Sequence, residues 1–239
     1  MLKSINILDV KITSEPEEKV LEYVLQRLKN GSKKFFVTTP NPEILTYASS
    51  HLDYKDKLNE AEVSLPDGIG LLFAAKLMRK PLKSRITGTD FIEKLCLASK
   101  DQPVSMGFLG GKGGVAEKAV ERLRKKYPWL KIGFIGEEWK ETGGSVIFGP
   151  TDILFVAFGA PKQEEWIYKN LNKLPVKAAM GVGGAFDYIS GNVQRAPFFV
   201  RKIGLEWLFR LIREPWRLKR QLSLIKFIWL ILKRKNKKY

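Results

Sequence analysis

The residues of this chain best placed for chemistry lie in short glycine-containing stretches. "LPDGIG", residues 65–70, sets one carboxylate, Asp67, between a proline and two glycines in a chain with 42 Lys and Arg against 25 Asp and Glu. Pro-Asp-Gly is a common turn, and its glycines also let a substrate approach the backbone closely. "FLGGKGGVAEKA", with Gly110 and Gly111, has the form of a strand, a glycine turn and a helix start. That geometry presents backbone N–H groups to a phosphate. It is neither a Walker A loop nor a clean G-x-G-x-x-G, so a plain tight turn is the competing reading. "FGAPKQEEW" places Lys162, Gln163 and Glu164 at a helix start, either as polar contacts or as a cap with a solvated charge run. In "GVGGAFDYISGNVQRAP", Gly183 and Gly184 precede Asp187, which suits a helix cap or an acceptor of hydrogen bonds from a ribose or a base.

These residues need elements to hold them. "SINILDVKI" reads as a strand, and a helix follows from Ser14 and Glu17, at capping-box spacing, to Gly31. Apolar runs then alternate with helical patterns: "KKFFVTT", "AEVSL", "PVSMGFLGG", "KIGFIGE", "DILFVAFG" and "AAMGVGG" read as strands. Strands apolar throughout and alternating with helices predict an α/β, Rossmann-like fold, a mainly parallel sheet with helices on both faces. Thr39, Asn41, Asp67, Gly110, Gly136, Gly159 and Gly183 all fall just after predicted strands, which puts them on one carboxyl edge. Ligands of such sheets bind there.

Composition limits the partners. The content is 44% hydrophobic and 11% aromatic, that of a folded domain. One cysteine, Cys96, allows no internal disulfide, and "MLKSINILDV" lacks the apolar run and cleavage site of a secretory leader, so a cytoplasmic setting is expected. The net charge of +17 is uneven, with 13 Lys and Arg against two Glu from Arg201 onward. That tail calls for a polyanionic partner. The alternation of elements ends near "RAPFFVRK", dividing the chain into a core of residues 1–196 and a helical appendage of residues 197–239. Arg210, Arg213, Arg217 and Arg220 are spaced three, four and three, on one face if the helix is continuous, with Pro215 a site for a bend. In "LSLIKFIWLILKRKNKKY" the apolar run is too short to span a bilayer. With Leu222, Ile225, Trp229 and Leu232 on one side and a basic end, it reads as a peripheral anchor on an anionic membrane surface. Nucleic acid is disfavoured as partner, because it does not need an aliphatic stripe and no recognised binding module is present. The stripe from Ile203 to Ile212 suits packing on the core, on lipid or on a second subunit of a homo-oligomer.

Taken together, "TTPNPE", "LPDGIG", "RITGTDF", "FLGGKGGVAEKA", "FGAPKQEEW", "GVGGAFDYISG" and "RAP…GLEWLFRLIREPWRLKR" resemble the TagA/WecG/CpsF family of bacterial glycosyltransferases, most closely its TagA branch, from about Ile5 to Arg220. The resemblance implies inverting transfer of N-acetylmannosamine from a UDP donor to the 4-hydroxyl of N-acetylglucosamine on diphospho-undecaprenol. That step commits the lipid to wall teichoic acid linkage-unit synthesis on the inner face of the cell membrane. It also implies Asp67 as general base, Arg85 as a cation for the leaving diphosphate, and a C-terminal segment that folds over the site with Arg210, Arg217 and Arg220. Gln163 and Asp187 are then expected near the donor, with Thr39 and Asn41 near the transferred sugar.

No cofactor and no metal are expected. The chain has no Asp-x-Asp motif, and one histidine, His51, with one cysteine cannot build a transition-metal site. Cationic side chains are left to stabilise the departing UDP. A related donor such as the uronic acid of the same sugar fits the same motifs. Two other classes are weaker. An oxidoreductase lacks its dinucleotide fingerprint, and a membrane adaptor leaves Thr39, Asn41, Asp67 and Gln163 unexplained. Asp9 departs from the family, whose members commonly carry glycine there.

Overall fold

A computed structural model describes residues 2–80, 82–138, 149–215 and 218–236. Its centre is a six-stranded sheet built from β3 (Phe35–Thr38), β4 (Val63–Ser64), β5 (Ser105–Gly110), β6 (Lys131–Gly136), β7 (Ile153–Ala157) and β8 (Ala178–Gly181). The order across the sheet is β4-β3-β8-β7-β5-β6, and every neighbouring pair is parallel. Alternation along each strand divides its side chains between two cores. Phe35, Val37, Phe108, Ile153, Phe155 and Met180 face the helices α1 (Glu17–Asn30), α5 (Gly88–Ala98), α6 (Val115–Lys126) and α8 (Ala185–Ser190). Phe36, Leu109, Leu154, Val156 and Ala179 face α7 (Lys162–Asn170). Because both faces are buried, the strands are apolar runs rather than alternating ones, as the α/β reading requires.

A third core stands beside the sheet. It joins β1 (Ser4–Ile7), β2 (Val10–Thr13), α2 (Pro42–Ala48), α3 (Leu52–Asn59), α4 (Ile69–Leu77) and the last helix, α11 (Leu218–Asn236). The expected first strand is in fact an antiparallel hairpin, since Leu8 and Asp9 turn the chain with φ of 51° and 62°. Aspartate tolerates that left-handed conformation, which explains how a non-glycine residue serves at position 9. The expected capping box is also not formed. Helix α1 begins after Pro16 with no side-chain cap, and Glu17 pairs with Lys94 of α5 at 2.6 Å.

The C-terminal segment is not one helix. It comprises α9 (Phe198–Lys202), α10 (Glu206–Arg213) and α11, with α10 ending where Glu214 leaves helical geometry before Pro215. The arginine spacing therefore does not run along a single helix face. Helix α11 returns onto the body of the protein: Phe227 and Ile231 are fully buried in the third core, and Thr46 Oγ1 donates to Ser223 O at 3.1 Å. Burying a phenylalanine of this kind stabilises by about 2–3 kcal/mol, enough to hold the helix in place. The guanidinium of Arg234 forks onto the Asp9 carboxylate, tying the end of α11 to the hairpin turn. Among the described residues no helix is long and apolar enough to cross a membrane.

Candidate active site

A cavity of about 760 Å³ lies at the carboxyl edge of β3, β4, β7 and β8 and beneath α10 and α11. Of the residues expected at the site, Thr39, Asn41, Asp67, Arg85, Gln163, Gly183, Gly184, Asp187 and Arg210 line it. Gly110, Gly111, Gly136 and Lys162 do not. The first three lie at the ends of β5 and β6, beyond β7, so they share the edge but not the cavity. The Gly114 N–H at the same turn donates to Glu137 Oε1 at 2.9 Å, and Gly136 packs on the Phe134 ring. Lys162 points into solvent. Arg217 and the side chain of Arg220 lie outside the described residues.

Asp67 sits where β4 runs into α4. Its N–H donates to Pro40 O at 2.9 Å, and Ile86 N donates to Pro66 O at 2.9 Å, so main chain fixes the turn from both sides. Gly68, at φ 96°, is the N-cap of α4, and no side chain caps that helix. The carboxyl of Asp67 is therefore not spent as a helix cap, and among the described residues no side chain hydrogen-bonds it. Enclosure by protein pushes its pKa up to about 7, opposed by the Arg85 charge and reinforced by Glu206 and Asp90. Such a group is ionised enough at neutral pH to accept a proton and basic enough to pull one.

The other expected residues hold the walls. Thr39 Oγ1 donates to Gly181 O at 3.1 Å, linking the ends of β3 and β8. Asn41 Oδ1 accepts from Ile44 N at 2.9 Å and caps α2. Gln163 and Glu164 are each 1% exposed, so the solvated charge run expected at the start of α7 is limited to its flanks. Gln163 Oε1 accepts from the Gly183 N–H at 2.8 Å. Asp187, in the first turn of α8, faces the same space.

The C-terminal segment closes the cavity from above. Gly204 allows this, with φ of 80° and a contact so close that a Cβ would stand 2.8 Å from Ile69 of α4. Arg210 reaches in from α10, its guanidinium 4.8 Å above the Tyr188 ring and its Nε donating to Glu214 at 2.7 Å. Sequence reasoning missed the residues that fasten this lid. Arg195 donates to Asp90 Oδ1 at 2.7 Å, to Thr87 Oγ1 at 3.3 Å and to Glu206 at 3.2 Å, while Thr87 caps α5 through the Asp90 N–H. Thr87 and Asp90 carry the spacing of a helix-start motif; nothing local marks Arg195 as their partner.

Around the mouth the surface is apolar. Phe73, Ile203, Trp207 and Ile228 are exposed and line it, and Leu218, Leu222, Ile225, Trp229 and Leu232 continue along the outer side of α11. These positions recur every three to four residues, opposite the buried Phe227 and Ile231.

The chain is 34% identical over 237 residues to an N-acetylglucosaminyldiphosphoundecaprenol N-acetyl-beta-D-mannosaminyltransferase of Bacillus spizizenii, covering 97% of this chain and 90% of the relative. It is 36% identical over 207 residues to the protein of that name from Bacillus subtilis, covering 84% and 81%. Against the Staphylococcus aureus (strain MRSA252) protein of that name it is 31% identical over 238 residues, covering 98% and 94%. The family model described as glycosyl transferase WecG/TagA/CpsF matches residues 5–239. The chain, with its parallel sheet, its edge cavity and its C-terminal lid, belongs to the WecG/TagA/CpsF glycosyltransferase family.

Proposed function

We propose that this protein moves N-acetylmannosamine from UDP-N-acetylmannosamine to the 4-hydroxyl of N-acetylglucosamine on diphospho-undecaprenol, with inversion and without a metal ion. The observation that carries the mechanism is Asp67, a carboxyl lining the cavity that no described side chain hydrogen-bonds, with its pKa raised to about 7. Asp67 takes the proton of the acceptor hydroxyl, whose oxygen attacks the anomeric carbon as the bond to the UDP phosphate breaks on the opposite face. Arg85 and Arg210, with Arg217 and Arg220, compensate the charge of the departing diphosphate. The product is a lipid-linked disaccharide, the form in which wall teichoic acid linkage-unit synthesis is committed.

The apolar mouth and the outer stripe of α11 support a peripheral position on the inner face of the bacterial membrane. A polyprenyl acceptor has to deliver its sugar from there. Lys226 and Lys233 are exposed on the same helix, and each cation near an anionic leaflet adds about 1 kcal/mol of attraction.

The test is transfer from UDP-N-acetylmannosamine to a lipid-diphosphate N-acetylglucosamine acceptor in EDTA, with wild type and Asp67→Ala. Disaccharide from wild type alone is the expected result. Activity lost in EDTA and restored by added metal would overturn the metal-free step. Transfer only from the uronic acid donor would correct the sugar, and UDP binding without any transfer would return the protein to the adaptor class.

A further inference from the structure

Glu164 is a carboxylate in a place that does not favour one. It is 1% exposed, and burial pushes its pKa up to about 7. A buried ionisable group is costly, and an apolar side chain of similar volume serves stability at least as well. Each of its two oxygens nonetheless accepts from a side chain. Oε1 accepts from Gln163 Nε2 at 2.6 Å and Oε2 accepts from the Tyr54 hydroxyl of α3 at 3.0 Å.

Those contacts have a direction. When ionised, Glu164 can only accept, and Gln163 then turns its amide NH2 toward it and its carbonyl oxygen the other way. The oxygen meets the Gly183 N–H, at 2.8 Å, in the turn between β8 and α8. A flipped amide would set NH2 against N–H. Gly183 has φ of 53°, and a Cβ there would meet nothing within 4 Å. Val182 N–H to Val156 O at 3.0 Å and Ala185 N–H to Val182 O at 3.1 Å hold the turn on either side, and the Gly183 N–H finds its acceptor in Gln163. The amide also lies against Gly181, where a Cβ would stand 3.0 Å from Nε2.

We infer that Glu164, held by Tyr54, is a positioning residue: it fixes the amide orientation of Gln163 and through it the Gly183 turn that forms the cavity wall beside Asp187. The inference rests on the reading of this cavity as the sugar-nucleotide site, and it assigns the α3–α7 contact a role in donor binding that no contact with donor is needed to exert. Replacement by glutamine preserves the relay. Its oxygen accepts from Gln163 and its NH2 donates to the Tyr54 oxygen, so the Gln163 contact is kept while the Tyr54 hydroxyl proton loses its acceptor.

The experiment compares Glu164→Leu, Glu164→Gln and the double variant Tyr54→Phe/Glu164→Leu, which removes both polar partners so that no buried hydroxyl is left unmatched. Without substrate, hydrogen exchange at the Gly183 amide should lose protection in both Leu variants and keep it in Glu164→Gln. With substrate, both Leu variants should raise the KM for the UDP-sugar about tenfold with acceptor KM within about twofold, and Glu164→Gln should stay within about threefold of wild type. In a Gln163→Ala background the Leu change should add less than about twofold, because one residue acts through the other. Unchanged Gly183 protection, or a full additional loss in the Gln163→Ala background, overturns the inference. So does an unchanged donor KM in an active protein. Wild type that transfers no sugar overturns the functional reading instead, and the exchange result still decides the relay.

Discussion

Arg195 Nη1 donates to Asp90 Oδ1 at 2.7 Å, and its Nε reaches Glu206 at 3.2 Å, so one guanidinium fastens the C-terminal lid to the first turn of α5. Asp90 and Glu206 both raise the proton affinity of Asp67, and Arg195 and Arg85 lower it. The lid thus brings its own charge to the Asp67 carboxyl.

Removing the guanidinium takes this cation from both Glu206 and Asp90, the latter still with the Arg201 guanidinium at 3.5 Å. Arg195→Met should cost about 2 kcal/mol, less than a fully buried pair because Asp90 keeps contact with solvent. For a chain of this size that is a fall in Tm of about 4–8 °C in a calorimetric scan, with a loss of turnover. Unchanged Tm and rate would show that the lid is held by packing alone.

With its folded pKa near 7, Asp67 as the proposed base is protonated and idle below that pH, so kcat/KM should climb through about pH 7 and level off above it. The stability effect has the opposite sense. Unfolding releases Asp67 to its ordinary value of 3.8, so between about pH 4 and 7 the native state binds more protons and stability falls as pH rises. Asp67→Asn should therefore abolish transfer while raising stability at pH 8 by about 2–4 kcal/mol. A flat rate profile from pH 5.5 to 8, or a less stable Asn variant, would contradict the raised pKa.

The two faces of α11 should separate experimentally. Phe227→Ala removes a buried ring and should cost about 3–4 kcal/mol by denaturant titration. Ile225→Glu with Trp229→Glu, both on the exposed stripe, should leave Tm within about 2 °C but reduce co-sedimentation with anionic liposomes several-fold. Equal liposome binding by the double variant would remove that stripe from the membrane contact.

Gly204 seats the lid on α4 through a contact that admits no side chain. Gly204→Ala should destabilise by about 1–3 kcal/mol, part from the positive φ and part from Ile69. Adding Ile69→Ala should recover only the share of the clash made by Cγ1 and Cδ1, because alanine keeps the Cβ that stands at 2.8 Å. A thermal-shift cycle of the four proteins reads the coupling, and strict additivity would contradict a direct contact.

The fold was largely legible because its signals are local. Apolar runs such as "DILFVAFG" and the 3.6-residue pattern of α1 report burial on their own sheet or helix face, and Asp67 was found because it follows a strand. The strand order was not legible, and it decides which part of the edge holds a cavity; Gly110 and Gly136 satisfied the edge rule and fell on the wrong side of β7. The hairpin was missed because Leu8–Asp9 turns without glycine, whereas Pro215 marked a bend where α10 ends, although the amphipathic spacing continues across it. Arg195 and Glu164 acquire their meaning from Asp90 and Tyr54, each more than a hundred residues away along the chain. No window of sequence contains such a pair.

The strand order also bears on how the chain is made. Synthesis runs from the amino terminus, so β3–β4 and β5–β6 emerge as two separate ribbons before the strands that join them, β7 and β8, exist. The inner edge of β5 stays bare until β7, ending at residue 157, has left the ribosome, and that of β3 until β8, ending at residue 181, has followed. Such long-range closure is slow, and an interrupted translation product of this protein is a natural client for chaperones.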